Sequence, residues 1–209
     1  MKTAKINFGF KVSLTLVGAV FVVLDFVAPG TVPPKFWSFV MTMLLPWAPD
    51  LVELLFGVKI GAGLQLAYEA FLIPAMVLGI NLDWYKTVSS FDKLAHFASG
   101  VLGAVVAWEV MARRKDYDLR FALLFILGFV ALLAVGWETF EFSYDKLCDG
   151  HMQELISVGL DDTMWDMIMA ELGAIATCVV MGAMGLLGGG KLFGAPTSTK
   201  TGDAPAKKK

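Results

Sequence analysis

Apolar residues in this chain come in long unbroken runs, not in the narrow stripes of a soluble amphipathic helix. Five runs are long enough to cross a hydrocarbon layer, which takes roughly 20 helical residues. They are Phe8 to Ala28, Ile60 to Leu82, Phe91 to Ala112, Leu119 to Phe142 and Thr163 to Leu187. A further run, Phe36 to about Leu55, is irregular: FWSFVMTMLL is apolar, but Pro46, Pro49, Asp50 and Glu53 interrupt its second half. It fits either a short broken span or an interfacial helix. Pro29, Gly30, Pro33 and Pro34 make a stiff connection before it. Asn81, Asp83, Trp84 and Tyr85 mark a span exit with the aromatics of an interface belt. The stretch between Tyr144 and Asp161 reads as a polar loop with a short amphipathic helix around Met152–Val158.

The polar residues that interrupt these runs are more informative than the runs. Phe91 to Ala112, FDKLAHFASGVLGAVVAWEVMA, carries Asp92, Lys93 and His96 in its first turns. Asp92 and His96 stand four apart and share one helix face. GWETFEF brings Glu138 and Glu141, three apart; LDDTMWDM brings Asp162 and Asp166, four apart. Ionisable groups in a membrane are costly and usually face protein or a water-filled cavity. The three pairs are therefore expected to meet. His96, Glu138 and Asp166 sit one turn inside their spans at similar depth, with Asp92, Glu141 and Asp162 as an outer layer.

Composition fixes the class. The chain is 57% hydrophobic and only 17% charged, with mean hydropathy +0.68, beyond the usual range of soluble domains. The expectation is an all-α, polytopic membrane bundle of about six helices. Residues 1–190 form one domain, and 191–209 a basic tail expected to be disordered. A net charge of -2 and the lack of a basic, aromatic-interleaved patch give no case for nucleic acid. Lys2, Lys5 and Lys11 precede the first run, but it ends in LDFVAPG without a convincing small-residue cleavage site, so a retained span is expected. Lys11 is expected to snorkel to the near interface.

Charge also orients the bundle. With six crossings, most of the 17 basic residues fall on one side, including Arg113, Arg114, Lys115, Arg120 and Lys207 to Lys209; Lys35, Lys86, Lys93 and Lys146 fall on the other. The positive-inside rule then puts both termini in the cytoplasm. It also favours a crossing by the irregular second run, since without it the basic segments would separate.

The remaining polar and small residues have ordinary readings. Cys148 and Cys178 give no disulfide framework; Cys178 is expected as a small core residue. The Cys148-Asp149-Gly150-His151 group reads as a polar turn, with metal binding as the sharper alternative. Glu69 and Glu171 fall near mid-membrane, as helix–helix contacts or a proton relay. Trp108 and Glu109 are expected at the interface. Gly100, Gly103, Gly173, Gly182 and Gly185 permit close helix packing.

One imidazole with several carboxylates suits a divalent metal such as zinc, manganese or iron. It equally suits a proton network in which a carboxylate fixes the tautomer of a general-base His96. A purely structural role, with the carboxylates capping helices or pairing with Lys93 or Lys146, stays open beside these. Phosphate alone is poorly served, because no Arg falls on this side.

The ordered set PDLVELLFGVKIGAG, FDKLAHFASG, GWETFEF and GLDDTMWDMIMAELGA resembles the YjdF-like family of uncharacterised bacterial inner-membrane proteins over roughly Pro49 to Val180. The Asp-Lys-x-x-His start and the later Asp-rich span give a looser likeness to VanZ-like proteins. The resemblance implies a multi-pass helical fold in the bacterial inner (plasma) membrane. It singles out Asp92, His96, Glu138, Glu141, Asp162, Trp165 and Asp166, but implies no reaction.

Three functions stand as expectations. One is a metal-assisted hydrolase or transferase acting on an envelope lipid or polyprenyl substrate, with His96, Glu138 and Asp166 catalytic. The metal ligands would come from Asp92, His96, Glu138, Glu141, Asp162 and Asp166. The second is an ion- or proton-coupled small-solute transporter using Glu69 and Glu171. The third is a structural or partner-binding membrane protein.

Overall fold

The computed structural model describes residues 2–31, 35–113, 118–148, 160–185 and 187. The helix expected around Met152–Val158, the side chains of the Cys148–His151 group and the tail 191–209 lie outside the described residues. All secondary structure among the described residues is helical. Six helical segments are long and apolar enough to cross a membrane: Thr3–Val27, Phe36–Phe56, Ala62–Asn81, Phe91–Ala112, Leu119–Leu147 and Leu160–Ala183.

The first span is α1 (Lys2–Val27). The irregular second run is helical throughout. Helix α2 (Phe36–Leu44) passes through one 3₁₀ turn, Leu45–Trp47, into α3 (Ala48–Phe56). Pro46 has no N–H to donate and would break a regular α-helix; the local 3₁₀ turn accommodates it. Gly57, at φ 64, ends α3 in the left-handed conformation that glycine adopts without strain.

The third span begins as α4 (Ala62–Leu72) and widens into a π-helix over Ile73–Asn81. Pro74 lies at the switch, where its ring obstructs ordinary i→i−4 pairing. The widened winding ends with Leu82 N–H bonded to Val77 O at 3.1 Å. Asn81 is buried inside the bundle, where its Nδ2 donates to Thr42 Oγ1 at 2.9 Å. Asn81 thus closes the span, as expected, and is at the same time a helix–helix contact. Helix α5 (Trp84–Thr87) then reverses the chain between two positive-φ residues, Asp83 and Ser90.

The last three spans are α6 (Phe91–Ala112), α7 (Leu119–Cys148) and α8 (Leu160–Ala183). Helices α6 and α8 run backbone against backbone. A Cβ on Gly100 would lie 1.9 Å from Ala170 O, and one on Gly173 2.1 Å from Phe97 O. These two glycines perform the packing role expected of them. Gly185 does not: it has open space around it and φ +69, and lies just past the end of α8.

Two apolar cores result. One joins Ala104, Ala107 and Trp108 of α6 to Ile126 and Val130 of α7 and Ala170, Ala174 and Met181 of α8. The other gathers Leu14, Leu72 and Met76. Trp108 and Glu109, expected at the interface, are buried. Helix α6 is central, packed by both α7 and α8, so Trp108 and Glu109 near its end face protein.

Lys11 also departs from expectation. It does not snorkel; it is only 4% exposed. Its Nζ contacts Asp50, lies 3.8 Å from Glu69 Oε1 and sits 5.9 Å from the Trp47 ring centroid. Two carboxylates presented by α3 and α4 give the ammonium a partner within the bundle, which offsets the cost of leaving water.

Candidate functional site

The N-termini of α6 and α8 lie side by side because the glycine seam draws the two helices together. Both carry acidic first turns, Asp92 on α6 and Asp161 and Asp162 on α8. Carboxylates are favoured there by the helix dipole. Phe91 anchors the start of α6 through edge-on contacts with Trp84 and Tyr85, each at 5.4 Å.

Lys93 is the hub. Its Nζ lies 2.8 Å from Asp92 Oδ2 and 2.8 Å from Asp166 Oδ1, and it also contacts Asp162. One ammonium thus joins three carboxylates from two helices. His96 projects from the next turn of α6. Its Nε2 stands 3.5 Å from Asp92 Oδ1 and 3.7 Å from Asp166 Oδ1. Asp166 is 3% exposed, so the group is shielded from bulk water on its α8 side.

Asp92, His96 and Asp166 each offer a ligand atom, and these atoms all lie within 4.8 Å of one another. A first-row divalent ion, with ligand bonds of about 2.0–2.2 Å, can bridge three atoms so placed after small side-chain movements. The donor set of one nitrogen and two oxygens suits zinc, manganese or iron.

Helix α7 supplies the third side. Glu138 is buried, with Oε1 lacking a hydrogen-bond partner, and its carboxylate interacts with the Thr163 side chain of α8. Glu141 lies one turn further on and interacts with the Trp137 side chain. Both glutamates face His96 electrostatically, yet neither forms an ion pair with it within 4.0 Å. The expected inner and outer layers therefore exchange a member. Asp92 joins His96 and Asp166, Glu138 stands behind them, and Asp162 is held on Lys93. Trp165 precedes Asp166 but is turned roughly 100° from it around the helix; it is 55% exposed and lies outside the cluster.

Tyr85 is the residue that sequence reasoning passed over, reading it only as an interface aromatic. Its ring lies across Gly79 so closely that a Cβ there would sit 2.3 Å from Tyr85 Cε2. Burial, and then the charges of Asp92, Glu141 and Asp166, push its phenol well above the usual tyrosine range. Tyr85 consequently stays protonated, a donor facing the carboxylates. The available signal was the bare Gly79 six residues upstream. Gly79→Ala is expected to displace the Tyr85 ring from Gly79 and from Phe91, read as a changed tyrosine fluorescence while the helical circular dichroism is kept.

Glu69 and Glu171 do not extend this cluster. Glu69 is buried beside Lys11 among α1, α3 and α4, whereas Glu171 lines a groove between α7 and α8. Among the described residues the two belong to separate parts of the bundle.

The comparisons with known proteins agree with this architecture. A family described as "Predicted membrane protein (DUF2238)" matches residues 10–185. An uncharacterised protein of Thermotoga maritima is 30% identical over 114 residues, covering 53% of this chain and 56% of its own length. The match thus spans little more than half of that relative. No solved structure matches the chain.

Proposed function

The chain belongs to the DUF2238 family of predicted membrane proteins, and from that premise we propose that it is a metal-assisted membrane hydrolase or transferase. Asp92, His96 and Asp166 would hold one divalent ion. Lys93 would fix the two aspartates and Asp162. Within the family we read the chain as YjdF-like, placed in the bacterial inner membrane with both termini cytoplasmic. The asymmetry of Lys and Arg supports that orientation.

The observation that carries the reading is the convergence of three ligand atoms from α6 and α8 within 4.8 Å. A surplus of acidic groups supports it. Five carboxyl groups, on Asp92, Glu138, Glu141, Asp162 and Asp166, face one lysine and one histidine. A buried set of this kind is stabilised by further positive charge, which a divalent ion would supply. When bound, the ion would polarise a substrate oxygen and promote attack by water or an acceptor hydroxyl. Glu138 Oε1 is free to accept the nucleophile's proton and return it to the leaving oxygen. Tyr85 would donate a hydrogen bond to charge developing on the substrate. The substrate is an amphiphile of the envelope, a lipid or polyprenyl compound, whose polar end reaches this end of the bundle from within the bilayer.

Metal analysis tests the reading. Detergent-purified protein is expected to retain a stoichiometric divalent metal by inductively coupled plasma mass spectrometry. His96→Ala and Asp166→Asn should each weaken binding by more than about tenfold with helical content unchanged. Absence of metal from wild type, after incubation with zinc, manganese and iron in turn, would rule the proposal out.

A further inference from the structure

The seam between α7 and α8 is open where the seam between α6 and α8 is shut. Gly100 and Gly173 bring α6 and α8 into backbone contact, whereas one stretch of the α7–α8 seam is left open. The space left is a groove of about 320 Å³. Its floor is made by Ala131 and Ala134 of α7, and its walls by Val135, Met167, Leu172 and Ile175. On α8 the lining runs from Met164 to Ile175, roughly 16 Å along the axis. The rim residues Val135, Ile168, Leu172 and Ile175 are exposed on the surface of a membrane bundle, so hydrocarbon is the medium that meets them.

Two features separate this groove from an ordinary lipid-facing crevice. Its upper end approaches the charged cluster along α7: Ala131, Ala134 and Val135 share the helix face of Glu138 and stop one turn short of it, while Asp166 is turned toward α6. Its middle holds one carboxyl group, Glu171, whose Oε1 is buried without a hydrogen-bond partner. An unpaired polar atom in an apolar wall is costly, and a donor on the occupant would remove that cost.

We propose that this groove holds one hydrocarbon chain of the substrate. Its polar head lies at the Asp92–His96–Asp166 group, and a hydroxyl or amide N–H on the chain bonds to Glu171. Measured along the helix axis, the donor would sit about 7.5 Å below the level of Asp166, five helical residues at 1.5 Å each. This inference rests on the metal-assisted reading for the placement of the head, but not for the fit of the chain. It assigns the substrate class as a single-chain-recognised amphiphile with a polar group part-way along the chain. Specificity would reside in α7 and α8, away from the reacting atoms.

Three probes test it by native mass spectrometry of detergent-purified protein: inorganic phosphate, dodecyl phosphate, and dodecyl phosphate hydroxylated near mid-chain. Wild type is expected to bind dodecyl phosphate at least tenfold more tightly than inorganic phosphate, and the hydroxylated probe more tightly still. Ala131→Trp fills the floor and should remove the gain from the chain; Ala131→Phe serves if the tryptophan variant does not fold. Glu171→Leu should remove only the gain from the hydroxyl. Val179→Trp, on an exposed part of α8 outside the groove, should change neither. Equal binding of all three probes by wild type, or an Ala131→Trp variant that behaves like Val179→Trp, would overturn the proposal. So would a Glu171→Leu variant that keeps the hydroxyl preference. Metal content measured on the same samples tells the two readings apart. Metal-free wild type that still shows the chain and hydroxyl preferences defeats the metal reading alone; metal-loaded wild type without them defeats the groove.

Discussion

Lys93→Met is expected to destabilise the bundle by about 3–5 kcal/mol, the usual cost of removing one partner from a buried ionic group. The lysine contacts three carboxylates, and the most buried of them, Asp166, has no other cation within 4.0 Å except His96 among the described residues. Methionine keeps the length and apolar stem of the side chain, so the loss isolates the charge. Lys93→Arg should retain much of the stability, since a guanidinium can still reach more than one carboxylate. Adding Asp162→Asn to Lys93→Met should recover part of the loss, because one unpaired negative charge is removed with its partner. Thermal unfolding in detergent, followed by circular dichroism, measures all three. A Lys93→Met variant that melts with wild type would show that the carboxylates do not depend on the lysine. Saturating divalent metal should partly rescue it, since a ligand that binds the folded state raises apparent stability.

The second large effect is steric. Gly100→Ala places a methyl group where Ala170 O now lies, 1.9 Å from the new carbon. The obstacle is backbone, which cannot rotate away as a side chain can, so α6 and α8 must separate. Close approach of small residues is a main source of membrane helix association. The expected outcome is loss of a sharp unfolding transition and of the Lys93 contacts to α8 together. Gly173→Ala should do the same. Gly128→Ala and Gly136→Ala, with nothing within 4 Å, should be close to neutral. A Gly100→Ala variant as stable as these controls would mean that the two helices can part at little cost.

Much of the fold was legible in the sequence. The runs of apolar residues specify six spans because a bilayer demands backbone satisfaction within each segment, and only a helix provides it here. The boundary of Phe91–Ala112 is the same in the sequence reading and in the structure. The others shift: α7 continues from Phe142 to Cys148, since polar residues such as Tyr144 and Asp145 can extend a helix once it leaves hydrocarbon. Asp92, His96, Asp162 and Asp166 announced themselves by helical spacing. Spacing along one helix could not say which oxygen of which aspartate meets the imidazole; that depends on the α6–α8 crossing. Lys11, Trp108 and Glu109 were misjudged for a related reason. Depth in the bilayer can be counted along a sequence, whereas facing protein or lipid is decided by neighbours far away in it. Tyr85 was hidden in a four-residue turn whose direction is set by two left-handed residues, Asp83 and Ser90.

Helix α7 is thirty residues long, roughly 45 Å at 1.5 Å per residue, against a hydrocarbon thickness of about 30 Å. If Leu119 marks one boundary, Glu138 lies roughly 28 Å away along the axis, close to the other. The acidic cluster is then held at the level where acyl chains give way to headgroups, and bilayer thickness becomes a control on its chemistry. A thicker membrane would set the mouth of the cluster deeper among acyl chains; a thinner one would open it to headgroup water. Lipid composition would thus govern access to the cluster without any molecule binding to it.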